Sequence, residues 1–391
     1  MTLPESVRFI IGKLNEHGHR ADIVGGSVRD FYMGKCPSDY DITTDATPDE
    51  MKDIFSTLHT VDTGLKHGTL TVILSGEPYE VTTYRVDGEY LDNRRPESVT
   101  FTRKLCEDLS RRDFTVNAMC YNDTDGLTDV FGGIEDIEER IIRAVGDPET
   151  RFREDALRIL RALRFASVLN FKIEEKTALA VHKCKTLLKN VSRERIFIEW
   201  KKLISGDGAY RVLTEFSDVI AVFIPKLSDI KLPKEDLFSS ADAEIRELSL
   251  FALSAKDRKE SFSISMTDMR SDNKRKTDGE AILSHVFANT STRPAIKRVL
   301  TEIEKELFSR VLSLRETLGI DTKYERETLA SILSHEECYT LSALKINGKD
   351  ISSLGHKGEK IGEILKALLY MVEDEKVDND RESLIALAKT L

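Results

Sequence analysis

The chain has 391 residues, 40% of them hydrophobic and 32% charged, and a formal net charge of −10. That length exceeds one compact core and predicts two to four domains; no apolar run approaches the roughly 18 residues of a membrane span. Five cysteines (Cys36, Cys106, Cys120, Cys184 and Cys338) are dispersed without CxxC spacing, which argues for reduced thiols in a cytosol and against a zinc site.

The opening stretch MTLPESVRFIIGKLNEHG reads as an amphipathic helix, its acids unlike those of a secretory signal. Residues 21–24 form a short apolar run, Gly25-Gly26 breaks it, and residues 27–33 can start a helix. The glycine pair lets the backbone approach a phosphate closely, and Ser27 can cap the helix, whose N-terminus favours anions. Asp39 and Asp41 follow inside a β-rich run. Residues i and i+2 of a strand share a face, so the two carboxylates project together and repel unless a cation separates them. A divalent metal bound to a nucleoside triphosphate suits them, because Mg²⁺ takes one or two carboxylates plus phosphate oxygens. An isolated DxD is more often a pair of solvated turn acids; the preceding GGSVRD favours the metal.

Gly64, Lys66, His67, Gly68 and Thr69 form a tight polar turn. No His/Ser/Asp arrangement points to a hydrolase. Residues 68–74 and 79–84 are β-rich runs around Gly76-Glu77-Pro78, a hairpin signal. Glu80, on the second strand, reads as solvent-facing in preference to a third metal carboxylate. Residues 86–104 contain DGEYLDNRRPES, polar and Pro-broken, and read as a loop. From Asp147-Pro148 onward the patterning is helical. At 100° steps along residues 154–167, Phe152, Ala156, Ile159, Leu160, Leu163 and Ser167 fall on one face. Glu154, Asp155, Arg158, Arg161 and Arg164 fall on the other, with Asp155 and Arg158 neighbours at i, i+3. A salt-bridged solvent face is the common meaning of such a pattern. Here the arginines outnumber the acids, which suits a triphosphate, and an Asp–Arg pair can address a base edge. CTP and ATP share an exocyclic amine that UTP and GTP lack at the matching position.

Residues 261–280 are polar without an apolar stripe and read as a looser junction; helical periods return around residues 361–369. There is no internal repeat. Charge is unevenly placed: residues 141–202 hold fifteen Lys and Arg against eight Asp and Glu, a net of +7, leaving −17 for the remainder. A basic middle in an acidic chain fits a phosphate-tracking surface, although a solvated helical face has the same composition.

GGSVRD followed by SDYDITTDATP resembles the nucleotidyltransferase signature of the polymerase β superfamily, and more narrowly the class II CCA-adding tRNA nucleotidyltransferases and bacterial poly(A) polymerases. RRDFTVNAM (111–119), DVFGG (129–133), REDALRILRALRFA (153–166), RERIFIEW (193–200) and INGKDISSLG (346–355) follow in the family's order. The resemblance covers residues 1–205 densely and the rest thinly. It implies an α+β polymerase-β-like head (1–143), then an all-helical neck (144–205), body (206–270) and tail (271–391). The implied activity is addition of C, C and A to the 3′ end of tRNA from CTP and ATP in the cytoplasm. Asp39 and Asp41 would hold Mg²⁺. Gly26, Arg29 and Arg112 would position phosphates, Asp155 and Arg158 would read the base, and Arg161 and Arg164 would bind the nucleotide. Asp113 and Asn117 could hold the ribose 2′-hydroxyl, which favours RNA over DNA precursors; their plainer reading is a helix start, with Arg111 solvated. Phe165 is expected to pack on a neighbouring domain, with base stacking second.

Four other functions compete. Poly(A) polymerases tend to carry a long basic C-terminal extension, whereas this chain ends in DEKVDNDRESLIALAKTL. C-only addition is disfavoured by LDNRRP, since CC-adding relatives tend to lack that loop; A-only addition stays open. A non-catalytic RNA-binding module is disfavoured by the intact Asp39, Asp41, Asp155 and Arg158.

Overall fold

The computed structural model describes residues 2–62, 64–88 and 98–391. The chain divides into two compact units, Met1–Ser228 and Asp229–Leu391. Of the loop expected over 86–104, residues 89–97 lie outside the described residues, whereas residues 86–87 and 99–101 belong to two short strands paired with each other.

The first unit holds β1 (Ala21–Val24), β2 (Asp41–Thr44), β3 (His59–Val61), β4 (Thr69–Leu74), β5 (Glu77–Thr83), β6 (Arg85–Asp87), β7 (Val99–Phe101), β8 (Met119–Asn122), β9 (Gly126–Asp129), β10 (Ile141–Ile142) and β11 (Lys172–Ile173). Seven of these form one mixed sheet in the order β3-β4-β5-β2-β1-β8-β9. β2 and β5 run parallel, the other neighbours antiparallel. The hairpin expected from the two β-rich runs is β4–β5. Its turn falls at Ser75-Gly76, because Pro78 is already paired with Ile73.

Register explains why these short runs are strands. Ile23, Ile42, Val81 and Leu70 are consecutive partners across four strands, and all are buried. Period-2 alternation puts the four on one face, and each buried aliphatic side chain stabilises the fold by about 1.5–3 kcal/mol. Helix Glu5–Glu16, amphipathic as expected, buries Val7, Ile10, Ile11 and Leu14 and touches β1. At the end of this row Asp41 faces Val24, so the first residue of β2 lies beside the point where β1 hands over to Gly25.

Asp39 precedes β2 and is not part of it. The expectation that both aspartates share a strand face is therefore corrected: only Asp41 is a strand residue. A second correction concerns residues 154–167, which do not form one continuous helix. Helix Pro148–Glu154 ends at Asp155, whose backbone is extended (φ −128°, ψ 105°), and a new helix runs Leu157–Val168. Asp155 Oδ1 accepts from Leu157 N at 3.1 Å, the local side-chain bond with which Asp competes against helix continuation. Phe165 is buried edge-on against Phe114 at 5.7 Å, a packing contact inside the Met1–Ser228 unit.

The expected all-helical neck is corrected at β11, which pairs parallel with β10; the second unit is helical among its described residues. Residues 261–280 are not a loose junction. They belong to helices Arg258–Asp268 and Asn273–His285, capped by Asp257 and Asp272. No apolar stripe is visible in the sequence because serines interrupt the buried face of the first helix and a glycine receives the Phe262 ring on the second. Ser261, Ser265 and Gly279 are buried beside Phe262 and Met266. A Cβ at Gly279 would lie 2.2 Å from the Phe262 ring, so only glycine allows this approach. Nearer the end, Ile346, Ile351, Ile364, Leu368 and Leu384 form a separate apolar cluster.

Candidate active site

Two cavities in the first unit hold most of the residues singled out from the sequence. One, of about 450 Å³, is lined by Asp39, Asp41, Glu80, Glu77, Tyr40 and Tyr79 among others. The other, of about 250 Å³, is lined by Arg111, Arg112, Asp113, Asp155, Leu157, Arg158, Arg161 and Arg195. The first is acidic and the second basic.

In the acidic cavity, Asp41 lies open at the surface but crowded by protein. Desolvation, then the charges of Asp39 and Glu80, raise its pKa above the ordinary 3.8, and Arg112 opposes them. Glu80 is exposed, as read from the sequence, yet it adds to this pressure. Carboxylates so arranged favour a cation between them. Among the described residues no group of three or more His, Cys, Asp or Glu could hold an ion by itself. Asp39 and Asp41 lining one cavity give two carboxylates, a donor set that fits a divalent metal completing its shell with phosphate oxygens and water.

The basic cavity is ordered by carboxylates beneath it. Asp113 is buried and accepts from Arg161 Nε at 2.7 Å, Asn117 Nδ2 at 3.2 Å and the Phe114 amide at 2.8 Å. Burial alone would raise its pKa, but Arg161 and these bonds pull it down to about 2. Asn117 also accepts from Arg29 at 2.6 Å. Asp113 and Asn117, expected together on a ribose, are thus bonded to each other and to two arginines.

Asp155 and Arg158 both line the cavity without bonding through their side chains. Asp155 pairs with Arg195 at 3.0 Å. Arg158 donates to Glu154 at 2.6 Å and to the Arg111 carbonyl at 2.9 Å. Arg164 lies outside the lining: its guanidinium rests 3.8 Å from the Phe165 ring centroid and is ion-paired with Glu199. Gly26 and Arg29 also lie outside it. The Gly25-Gly26 turn nevertheless meets its edge, for a Cβ at Gly25 (φ +81°) would lie 3.4 Å from Arg112 Nη1. Arg112 Nε is buried without a hydrogen-bond partner among the described residues.

Asp108 and Arg195 are absent from the sequence reading, and Arg111, read there as solvated, is ion-paired with Asp108 at 2.7 Å. The two arginines stand inside quoted motifs, so their signal was available. Asp108 is fully buried and holds Arg111 and Arg112; nothing in its spacing separates it from an ordinary helix-surface acid.

Residues 21–143 match the family model of the poly A polymerase head domain. Residues 170–228 match the Probable RNA and SrmB-binding site of polymerase A, and residues 240–388 match tRNA nucleotidyltransferase domain 2. The chain is 37% identical over 404 residues to the CCA-adding enzyme of Ligilactobacillus salivarius, across 98% of this chain and 95% of that protein. The CCA-adding enzyme of Streptococcus thermophilus is 37% identical over 398 residues, across 98% and 96%. The crystal structure of the Bacillus stearothermophilus CCA-adding enzyme in complex with CTP matches the fold with a TM-score of 0.79 at 32% identity, covering 100% of this chain and 98% of that one.

Proposed function

Because the chain belongs to the family of CCA-adding enzymes, we propose that it adds C, C and A without a nucleic-acid template to the 3′ end of tRNA. CTP and ATP are the donors and pyrophosphate is released. The observation that carries this reading is the position of Arg112, which lines the arginine cavity while its charge reaches Asp41 in the acidic one. A triphosphate gripped on one side is thereby presented to the acids on the other.

Nucleotidyltransferases of this family work with divalent metal ions as a class. Here Asp39 and Asp41 would hold Mg²⁺, which supplies a lowered pKa for the acceptor 3′-hydroxyl and offsets charge on the phosphates. Arg112 and Arg161 bind phosphate oxygens, with Gly25-Gly26 giving the backbone room. Arg29 acts through Asn117, and Arg164 acts through Phe165 and Glu199 on the wall of the site. Asp155 and Arg158 read the base edge. Each Asp155 oxygen accepts one bond already, and its second lone pair remains for an exocyclic amine. The basic stretch 141–202 carries the tRNA backbone. The division into head 1–143, neck 144–205, body 206–270 and tail 271–391 belongs to this reading. So does a cytoplasmic place of work, supported by dispersed free cysteines; among the described residues no helix is long and apolar enough to cross a membrane.

The test is product length on a tRNA lacking its 3′ trinucleotide, given CTP and ATP. Three additions followed by arrest support the reading. Continued A addition makes the protein a poly(A) polymerase. Failure to add C, with ready addition of A to tRNA ending in CC, makes it an A-adding enzyme.

A further inference from the structure

Asp108 sits on the short helix Leu105–Ser110. Its carboxylate is fully buried, which is unfavourable by several kcal/mol unless the charge is paired and bonded. The partners are specific. Oδ1 accepts from Arg111 at 2.7 and 3.0 Å and from the Arg85 amide, the first residue of β6, at 3.3 Å. Oδ2 accepts from Arg112 Nη2 at 3.2 Å and from Thr43 Oγ1, on β2, at 3.5 Å. Both arginines line the basic cavity.

The two tips of the Arg112 fork therefore have different surroundings. Nη2 is held by Asp108, and Nη1 is turned toward Gly25. Thr43 stands two residues after Asp41, so the same carboxylate touches the strand that carries the acidic cavity. A guanidinium is planar and rigid. Fixing one tip aims the other, whereas an unheld arginine would spread over several rotamers.

We propose that Asp108 is a positioning residue for triphosphate recognition, fixing the Arg112 fork so that Nη1 meets the phosphates at the Gly25-Gly26 turn. The inference rests on the reading that Arg112 grips the triphosphate. Asp108 touches no substrate. It converts a mobile cation into a pre-aimed donor, and it does so for CTP and ATP alike because no base contact is involved.

The experiment is a double-mutant cycle in the full chain, reading KM for CTP and for ATP, inhibition by inorganic pyrophosphate, and tRNA affinity. D108N presents an N–H to a guanidinium whichever way the amide turns. It should raise both nucleotide KM values and the pyrophosphate inhibition constant by roughly tenfold, the scale of one lost charge-assisted bond, with tRNA affinity unchanged. In an R112A background, D108N should add less than about twofold, because the residue it aims is gone. R112K keeps the charge but loses the fork, and should match D108N with the buried acid intact. Multiplicative losses in the double variant, an equal loss of tRNA affinity, or wild-type nucleotide KM values in R112K would each overturn the positioning role. Loss of a cooperative unfolding transition in D108N would assign the carboxylate to the fold instead. Unchanged nucleotide and pyrophosphate affinity in R112A alone would sink the phosphate-site reading, and this inference with it.

Discussion

Asp41 works against its own surroundings. Its folded pKa lies above the ordinary 3.8 because of desolvation and the charges of Asp39 and Glu80. A carboxyl group with a raised folded pKa favours the fold fully below the unfolded value, and that contribution is lost as pH rises through the folded one. Asp41→Asn should therefore melt at a higher temperature than the parent at neutral pH, with the gap closing as pH falls toward 3.8. The same variant, and Asp39→Ala, should abolish incorporation of CTP and ATP together; near-normal turnover in either removes the metal role. Asp113 has the opposite sign. Its pKa of about 2 means stability that is present above 3.8 and is lost as pH falls through 2, about 2 kcal/mol in all. Arg161→Ala should flatten that acid dependence in melting curves and weaken CTP and ATP equally. Replacing Asp155 by Ala should instead erode rejection of UTP and GTP, by about 1–3 kcal/mol of discrimination. Equal losses for all four nucleotides would take Asp155 out of base reading. That Asp39 and Asp41 share one cavity, and Arg112 and Asp155 another, was legible because motif order carries them. Asp108 was not, because a buried acid and a solvated one look alike until the chain is folded.

At the scale of elements, the sequence disclosed what periodicity encodes and hid what close approach encodes. β1, β2 and the β4–β5 hairpin follow from β-rich runs and their turns. At the Asp155 break, local chemistry competes with a helical pattern: a side-chain bond to Leu157 N opposes the continuity of the apolar stripe. The helix pair at Arg258–Asp268 and Asn273–His285 escaped because serines share the buried face with Phe262 and Met266, and the Phe262 ring packs against Gly279, which does not register as apolar. That contact gives a prediction. Alanine at Gly279 gains helix propensity of up to about 1 kcal/mol, but its Cβ would meet the Phe262 ring at 2.2 Å. Overpacking of this kind typically costs about 1–3 kcal/mol, and the ring is braced edge-on by Phe251 at 5.2 Å. Gly279→Ala should lower the melting temperature of the Asp229–Leu391 unit while leaving the CTP KM unchanged. A variant that melts at or above the parent temperature would show that Phe262 can move aside.

Across the whole molecule, one nucleotide site must serve two bases in a fixed order. Asp155 and Arg158 are poorly suited to switching. Asp155 is held by Arg195 and caps Leu157, and Arg158 is held by Glu154 and the Arg111 carbonyl. The change from cytosine to adenine needs a segment able to take more than one arrangement. The stretch 86–97, polar and Pro-broken in sequence, is the candidate that composition offers. The ribbon on either side makes the test clean. β6 and β7 pair antiparallel from Arg85–Phe101 to Asp87–Val99, and Gly88 N donates to Ser98 O at 2.9 Å. Residues 88 and 98 are thus already close enough to be joined by a two-residue Asn-Gly turn in place of 89–97, so that exchange need not disturb the strands or the Arg85 amide that bonds Asp108. The shortened protein, given tRNA without its 3′ trinucleotide plus CTP and ATP, should add two C residues at near the parent rate and then stop. Product ladders resolve this directly. Normal A addition by the deletion variant would return the switch to the helix that carries Arg158, and loss of C addition would mean that the segment serves nucleotide binding in general.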